Sequence, residues 1–153
     1  MSKKNSQTFT VSEDDYFKAD RNCLEFTLHG RPVPYKRVAI CPRTNRRYSP
    51  NGPARASAIA CLKELLQLHS KEMPNFKENE LELEAVFFLR GKNPTSAPDL
   101  DNLAKFLMDT LQIAGVYQND SQITRATIEK RANNSVQGCT IVKLRKKIVE
   151  IDV

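Results

Sequence analysis

Apolar and polar residues alternate in two segments of the chain, which is the pattern of a β-strand with one buried face. In the first segment, Leu24, Phe26 and Leu28 alternate with polar neighbours. In the second, residues 80–90, the apolar series begins at Leu81, and the far end of the segment is apolar on both faces. We predict a strand in each segment, and the second is the more strongly patterned of the two.

Apolar residues recur three and four positions apart in two further segments, which predicts two amphipathic helices. The first runs from about Ala54 to His69, and Pro74 excludes a continuation. The second begins after Asp99, which can cap it, and Gly115 ends it. Its apolar stripe consists of Leu100, Leu103, Ala104, Leu107, Met108 and Leu111.

Two more strands are predicted near residues 122–130 and 138–145, separated by a turn at 133–134. The resulting order is β-α-β-α-β-β. A mixed four-stranded sheet with two helices packed on it is an α/β (α+β) arrangement that suits this order and size. Residues 1–20 show no sustained period, so we predict a partly ordered N-terminal extension there and a single domain over 21–153.

Composition excludes several classes of protein. A chain of 153 residues, with 40% apolar and 27% charged residues, is long enough for one compact domain and is typical of globular proteins rather than of general disorder. No apolar run approaches the roughly 20 residues that span a membrane, and the N-terminus lacks a signal-peptide core. We therefore expect a cytoplasmic protein with no membrane partner. The four cysteines lie far apart, in a spacing that fits neither a zinc site nor a disulfide framework, so we expect reduced thiols.

Positive charge is concentrated in one proline-rich loop. The net charge is +6, and residues 31–55 hold seven basic residues and no acid. Such a distribution favours a polyanionic partner. Tyrosines interleaved with the cations suit phosphate contacts combined with stacking on a distorted or unpaired base, although a flexible solubilising loop has the same composition. The predicted nucleic-acid contacts are Tyr35, Lys36, Arg37, Arg43, Arg46 and Arg47.

Three aspartates and a lysine are placed around the second predicted helix. Asp101 and Lys105 are four residues apart and face the same side of the helix, with Cβ atoms about 6 Å apart. Asp99 precedes the helix and can swing to that side, whereas Asp120 arrives after a helix of about 20 Å and a turn, so its position depends on the fold. Three carboxylates suit magnesium, and a lysine beside them suits a phosphate oxygen or a leaving group.

Each of these residues also has an ordinary structural role open to it. Asp99 can be a helix cap, Asp101 a favourable acid in the first turn, and Lys105 a solvated partner of an i,i+4 pair. Asp120 can be a turn residue, and Asp109 a solvated or structural acid. The combination, with a basic loop upstream, favours the catalytic interpretation of the four predicted site residues.

Two runs of this chain resemble the signature of the RusA-type Holliday-junction resolvases. In that signature an Asp-x-Asp-Asn-x-x-Lys motif is followed by an Asp-Asp-small-Gln turn. Residues 99–105 read Asp-Leu-Asp-Asn-Leu-Ala-Lys and complete the first motif, while residues 119–122 read Asn-Asp-Ser-Gln, so that Asn119 replaces the first acid of the second motif. The resemblance covers about residues 22–146 and is specific over 98–122.

The resemblance implies a small homodimeric, magnesium-dependent endonuclease that resolves four-way DNA junctions by paired symmetric nicks in recombination and repair. Members of this family are frequent in phages and prophages. It gives Asp99, Asp101 and Asp120 the catalytic metal-binding positions, with one or two Mg²⁺ ions per site, and it gives Lys105 the catalytic lysine position. Residues 21–153 would then form one RusA-like nuclease domain. A two-fold protein would also match the two-fold-related strands of a four-way junction.

Two other functions stay open at the level of the sequence. One is a non-catalytic protein that binds branched DNA with the same fold and basic loop, against which the intact aspartates and lysine argue. The other is a metal-dependent enzyme that acts on RNA or nucleotides, or a nuclease that acts on other nucleic acid structures.

Overall fold

We obtained a computed structural model of the protein, which describes residues 9–10, 17–96, 98–134 and 137–147. It contains two α-helices and a mixed five-stranded sheet, together with a small two-stranded sheet. In chain order the elements are β1 Lys18–Ala19, β2 Cys23–His29, β3 Ala39–Ile40, β4 Arg47–Tyr48, α1 Gly52–Leu68, β5 Leu81–Leu89, α2 Leu100–Ile113, a single 3₁₀ turn Asp120–Gln122, β6 Ile123–Ala132 and β7 Cys139–Lys146.

The strand order of the large sheet is β1-β2-β7-β5-β6. β5 and β6 run parallel and are joined through α2, whereas the other neighbouring strands are antiparallel. The predicted α+β class, element order and two helices are confirmed. The predicted count of four strands was too low by one, because Lys18 and Ala19 add a two-residue strand to the outer edge of β2.

The predicted loop between the first strand and the first helix also contains structure. β3 and β4 form a short antiparallel hairpin in it, with Ala39 opposite Tyr48 and Ile40 opposite Arg47. α1 begins at Gly52, two residues earlier than predicted, because Pro53 is accommodated in the first turn, where a helix does not need its N–H. Among the described residues, neither helix is long and apolar enough to cross a membrane.

The hydrophobic core lies between one face of the large sheet and the two helices. The alternating residues of β2, β5 and β7 are buried on this face, including Phe26, Phe87 and Leu144. α2 contributes Leu103 and Leu111, which are almost fully buried. Because this stripe faces the sheet, the remaining face of α2 is left for polar residues.

Two described parts of the predicted N-terminal extension pack against the domain. The Phe9 side chain is 5% exposed, and its ring stacks on Phe106 of α2 with centroids 6.3 Å apart. Phe17 stacks on His69, just after α1, with centroids 3.9 Å apart. These contacts and the pairing of β1 with β2 attach the described parts of the extension to the domain, and the domain boundary at residue 20 stays a prediction.

All four cysteines are reduced thiols. Cys23 and Cys61 are buried, while Cys41 and Cys139 are half-buried. Burial raises the pKa of the Cys61 thiol to about 11, so this side chain is a neutral core residue at physiological pH.

Candidate active site

Two aspartates at the start of α2 have side chains without partners among the described residues. Asp99 occupies the N-cap position with an extended backbone (φ −70°, ψ 143°), but its side chain accepts no capping hydrogen bond. Asp101 follows in the first turn, and both residues are exposed. Neither carboxylate has a hydrogen-bonding or ionic partner within the part of the chain that the structure describes. Both lie near the positive end of the helix dipole, which favours negative charge there.

Lys105 is held on the same face of α2 by an aromatic ring. Its Nζ lies 3.9 Å from the centroid of the Tyr35 ring, which is a cation–π contact. The Tyr35 backbone N–H donates a hydrogen bond of 2.9 Å to the Asn102 carbonyl oxygen, so the tyrosine is attached to the first turn of the helix. The lysine therefore has a defined position one turn after Asp101.

A buried asparagine fixes the segment that carries Tyr35. The Asn51 side chain is only 2% exposed. Its Oδ1 accepts a hydrogen bond of 2.6 Å from the Lys36 backbone N–H, and its Nδ2 donates one of 3.0 Å to the Pro34 carbonyl oxygen. The start of the basic loop is thus clamped between the beginning of α1 and the beginning of α2.

Asp120 lies beside the far half of α2 and is held by hydrogen bonds. The Tyr117 hydroxyl is 2.5 Å from Asp120 Oδ1 and 2.8 Å from the Met108 carbonyl oxygen, and it can donate its proton to one of them at a time. The Asp120 backbone N–H donates to Gln112 Oε1 at 2.8 Å. Burial, the hydrogen bond with Asp120 and the charges of Asp120 and Asp109 together raise the pKa of Tyr117, so its hydroxyl stays protonated.

The Gln122 side chain ties the Asp120 turn to the loop before β5. Its Oε1 accepts hydrogen bonds of 2.9 Å from the backbone N–H groups of Gln118 and Asn119. Its Nε2 donates to the carbonyl oxygens of Lys77 at 2.5 Å and Asn79 at 3.0 Å. One amide thus joins two backbone segments and orients the turn that carries the aspartate.

Asn119 fills a structural role at the position where the resembled signature has an acid. Its Oδ1 accepts a hydrogen bond of 2.9 Å from the Ser121 backbone N–H, and its own backbone N–H is capped by Gln122. An aspartate side chain can accept the same bond, because both residues cap short helical turns. The replacement therefore keeps the local geometry of the turn.

One chain does not bring the three aspartates together. α2 advances about 1.5 Å per residue, so the Met108 turn, beside which Asp120 lies, is about 10 Å further along the helix axis than Asp101. No group of three or more histidine, cysteine, aspartate or glutamate side chains that could hold a metal ion occurs within the described ranges. The reason is topological: α2 connects the end of β5 to the start of the parallel strand β6, so its two ends lie at opposite ends of the sheet. Asp99, Asp101 and Asp120 as joint metal ligands stay a prediction.

A charged pair links the two helices next to this surface. Arg55 Nη2 of α1 lies 3.8 Å from Asp109 Oδ2 of α2, two turns beyond Asp101. Arg55 Nε is buried and has no hydrogen-bonding partner within the described residues. The pair gives Asp109 a structural role, in line with its interpretation from the sequence.

Two clusters of basic residues, one in and beside the hairpin and one in β7, lie in different environments. Arg37, Arg43, Arg46 and Arg47 in and beside the hairpin are exposed, and none of them pairs with a carboxylate of the described residues. By contrast, the cations of β7 face carboxylates of neighbouring strands. Lys143 lies 2.9 Å from Glu25, and Arg145 lies 3.3 Å from Glu82 and 3.7 Å from Glu84. Of these two clusters, the hairpin is therefore the one whose positive charge has no carboxylate partner among the described residues.

Four residues that organise this surface had no role predicted from the sequence. Gln122 carried a signal, because it closes the second motif. Tyr117 lies inside the run between the motifs, but nothing in its spacing indicates a bond to Asp120. The roles of Asn51 and Gln112 could not be predicted from the sequence, because each forms hydrogen bonds with a segment that only the fold brings close to it.

A comparison with known families matches the part of the chain that carries this surface. The sequence model described as endodeoxyribonuclease RusA matches residues 29–145, which contain both helices, the hairpin and both motifs. No curated protein matches the chain. Since the family match covers most of the sequence, the chain belongs to the RusA family of endodeoxyribonucleases.

Proposed function

We propose that the protein is a magnesium-dependent endonuclease that resolves four-way DNA junctions by paired symmetric nicks. The observation that carries this proposal is the start of α2. There Asp99 and Asp101 present two carboxylates without partners in the described residues, and Lys105 stands one turn later on the Tyr35 ring. Tyr35 belongs to the same loop as the arginines that have no carboxylate partner among the described residues. In a chain of an endodeoxyribonuclease family, the nearness of these candidate catalytic residues to candidate DNA contacts supports the proposal.

The donor set at the start of α2 fits magnesium. This ion prefers oxygen ligands and is usually bound through one or two carboxylates, completed by water and substrate phosphate. Asp99 and Asp101 would hold it, as one or two ions per site. When bound, magnesium supplies charge neutralisation at the phosphate and a more acidic water molecule. Lys105 would contact a non-bridging oxygen or the leaving group, and the ring of Tyr35 orients its ammonium group for that contact.

The position of Asp120 supports a homodimer. Within one chain the aspartate lies about 10 Å from Asp101 along the helix axis, and three hydrogen-bonding side chains fix its turn. If Asp120 is a ligand, a second copy must supply it, or the turn must move. A two-fold dimer also places one site on each of two symmetry-related strands, which is what paired nicking requires.

Cleavage of a synthetic four-way junction tests the proposal. With magnesium, the protein should introduce symmetric nicks in two opposing strands, and it should cut neither a linear duplex of the same sequence nor the junction in the presence of a chelator. Binding without cleavage at any metal concentration would instead favour the branched-DNA-binding alternative. Undiminished cleavage in excess chelator would contradict a metal-dependent mechanism.

A further inference from the structure

The β3–β4 hairpin is a small, well-formed projection in the basic loop. At its tip the Cys41 backbone N–H donates to the Arg46 carbonyl oxygen at 2.9 Å, and the Asn45 N–H donates to the Cys41 carbonyl oxygen at 2.8 Å. Asn45 adopts a left-handed conformation (φ 56°), which asparagine tolerates better than most residues. The turn of the hairpin is therefore stabilised by hydrogen bonds within the hairpin itself.

The hairpin exposes apolar side chains that the fold does not use. Val38, Ile40 and Tyr48 are 60%, 57% and 51% exposed. Val38 directly precedes β3, while Ile40 and Tyr48 lie in β3 and β4. Together they make up three of the six large apolar residues found exposed in the described part of the chain. Single exposed apolar residues are common, but such a concentration on one projection indicates an interaction surface.

The charges around these side chains indicate what kind of partner would bind there. Four exposed arginines without carboxylate partners in the described residues surround the apolar group, and residues 31–55 contain no acid. A partner must therefore offer dense negative charge and apolar faces within a few ångströms of each other. DNA has both where stacking is interrupted, because the faces of the bases are then open beside the phosphates. In an intact duplex those faces are covered.

We propose that this hairpin is a wedge for the branch point of DNA. Val38, Ile40 and Tyr48 pack against base faces that are unstacked where the arms meet, and the arginines bind the phosphates of the arms. Apolar side chains of other DNA-binding proteins act in this manner between base steps. The proposal rests on the proposed function and deepens it, since it assigns selectivity for branched over linear DNA to three residues outside the two motifs.

The connection of the hairpin to the site explains why Tyr35 is not part of the wedge. One face of its ring carries Lys105, and its backbone is bonded to Asn102. Asn51 clamps the residues on both sides of it. The segment 34–36 is thus an anchor, and Val38 begins the free part of the loop only two residues later. A wedge seated at the branch point would hold the DNA at a short, fixed distance from Lys105.

The test is a binding experiment on the full chain in chelator, so that cleavage is not involved. The triple variant Val38→Ser, Ile40→Ser, Tyr48→Ser changes only exposed side chains. Its affinity for a four-way junction should fall about tenfold or more, since stacking contributes about 1–3 kcal/mol per base. Its affinity for linear duplex should stay within about twofold, with an unchanged salt dependence, because the phosphate contacts remain. Fluorescence of 2-aminopurine placed at the branch point should change when the unmutated protein binds, because its stacking environment changes, and should not change when the variant binds.

Two control variants distinguish a wedge from a general loss of apolar surface or of charge. Leu68→Ser removes an equally exposed apolar side chain at the end of α1 and should change neither affinity. Arg46→Ala with Arg47→Ala should weaken binding to both DNA forms and flatten the salt dependence.

Equal losses of affinity of the triple variant for junction and duplex, or no loss at all, would overturn the wedge. Dissociation of a dimer in sedimentation would also overturn it and assign the hairpin to a subunit interface. Junction selectivity that depends on the hairpin in a protein that never cuts would refute the proposed chemistry and leave the wedge intact.

Discussion

The carboxylates at the two ends of α2 lie in contrasting environments. At the start of the helix, Asp99 and Asp101 are exposed and have no partner within the described ranges. At the far end, Asp120 is half-buried, bonded to Tyr117 and fixed through its backbone by Gln112. An open carboxylate can take up a ligand without breaking other bonds, whereas an oriented one offers a fixed direction. Substitutions at the start of α2 should therefore affect catalysis alone, whereas substitutions of Asp120 and the residues that hold it should affect both catalysis and stability.

The largest expected effect comes from Asp101→Asn. The change removes a charge but no contact within the described residues, so cleavage of the junction should fall by at least about 10²-fold while binding in chelator stays intact. Stability should change little, because only the interaction with the helix dipole is lost, about 0.3–1 kcal/mol. Cleavage rates, junction affinity and thermal unfolding are the measurements. Glu72→Gln, at an exposed acid after α1, is the matched control and should leave cleavage unchanged. An unfolded or a normally active Asp101→Asn protein would contradict the assignment.

A mixing experiment asks whether the two ends act in one chain or across two. Asp101→Asn and Asp120→Asn chains should each be inactive alone. If Asp120 serves the site of a second copy, a mixed dimer has one complete site, so the mixture should regain cleavage as single nicks rather than paired ones. Gel analysis of nicked and resolved products distinguishes these outcomes. A mixture as inactive as its components would show that the residues act within one chain, and that the Asp120 turn moves to reach Asp101.

Gln122→Glu should affect stability as well as activity. The substitution keeps an acceptor for two N–H groups but turns a negative oxygen toward the carbonyl oxygens of Lys77 and Asn79. We expect a loss of about 1 kcal/mol in the free energy of unfolding, and a decrease of about 2–4 °C in the melting temperature. Cleavage should fall and need more magnesium. Gln118→Glu is the control, since it adds the same charge in the same turn. Equal effects of both variants would attribute the loss to charge alone.

The smallest expected effect concerns the ring beneath Lys105. Tyr35→Leu removes the cation–π contact and should lower the cleavage rate by about twofold to fivefold, while Tyr35→Phe keeps the ring and should leave the rate nearly unchanged. The comparison of kcat for the two variants at saturating DNA is the measurement. If phenylalanine fails as badly as leucine, the hydroxyl of Tyr35 is what matters, and the positioning role given to the ring is wrong.

The elements that carry the core were predictable from the sequence because their patterns are long. Residues 81–89 alternate over the whole of β5, and the apolar stripe of α2 repeats over almost four turns. The hairpin was not predicted, because β3 and β4 contribute two residues each, which is too few to show a period. Periodicity does not register such short strands.

The candidate site was predictable only in part. The motif over residues 99–105 places Asp101 and Lys105 on one helix face by spacing alone. The position of Asp120 could not be derived in this way, since it depends on the direction of β6 in the sheet. The hydrogen bonds of Gln112 and Gln122 were likewise unpredictable, because each joins segments that are distant in sequence or separated by a turn.

The place of β7 in the sheet has a consequence for the synthesis of the protein. β2 and β5 are not neighbours, since β7, the last strand of the sheet in chain order, lies between them and pairs with both. While a ribosome is making the chain, the earlier strands can form only separate parts, and such parts expose strand edges. The large sheet becomes continuous when β7 emerges and inserts. A nascent chain therefore completes the scaffold of its candidate active site only after β7 has been made, and shorter chains lack it.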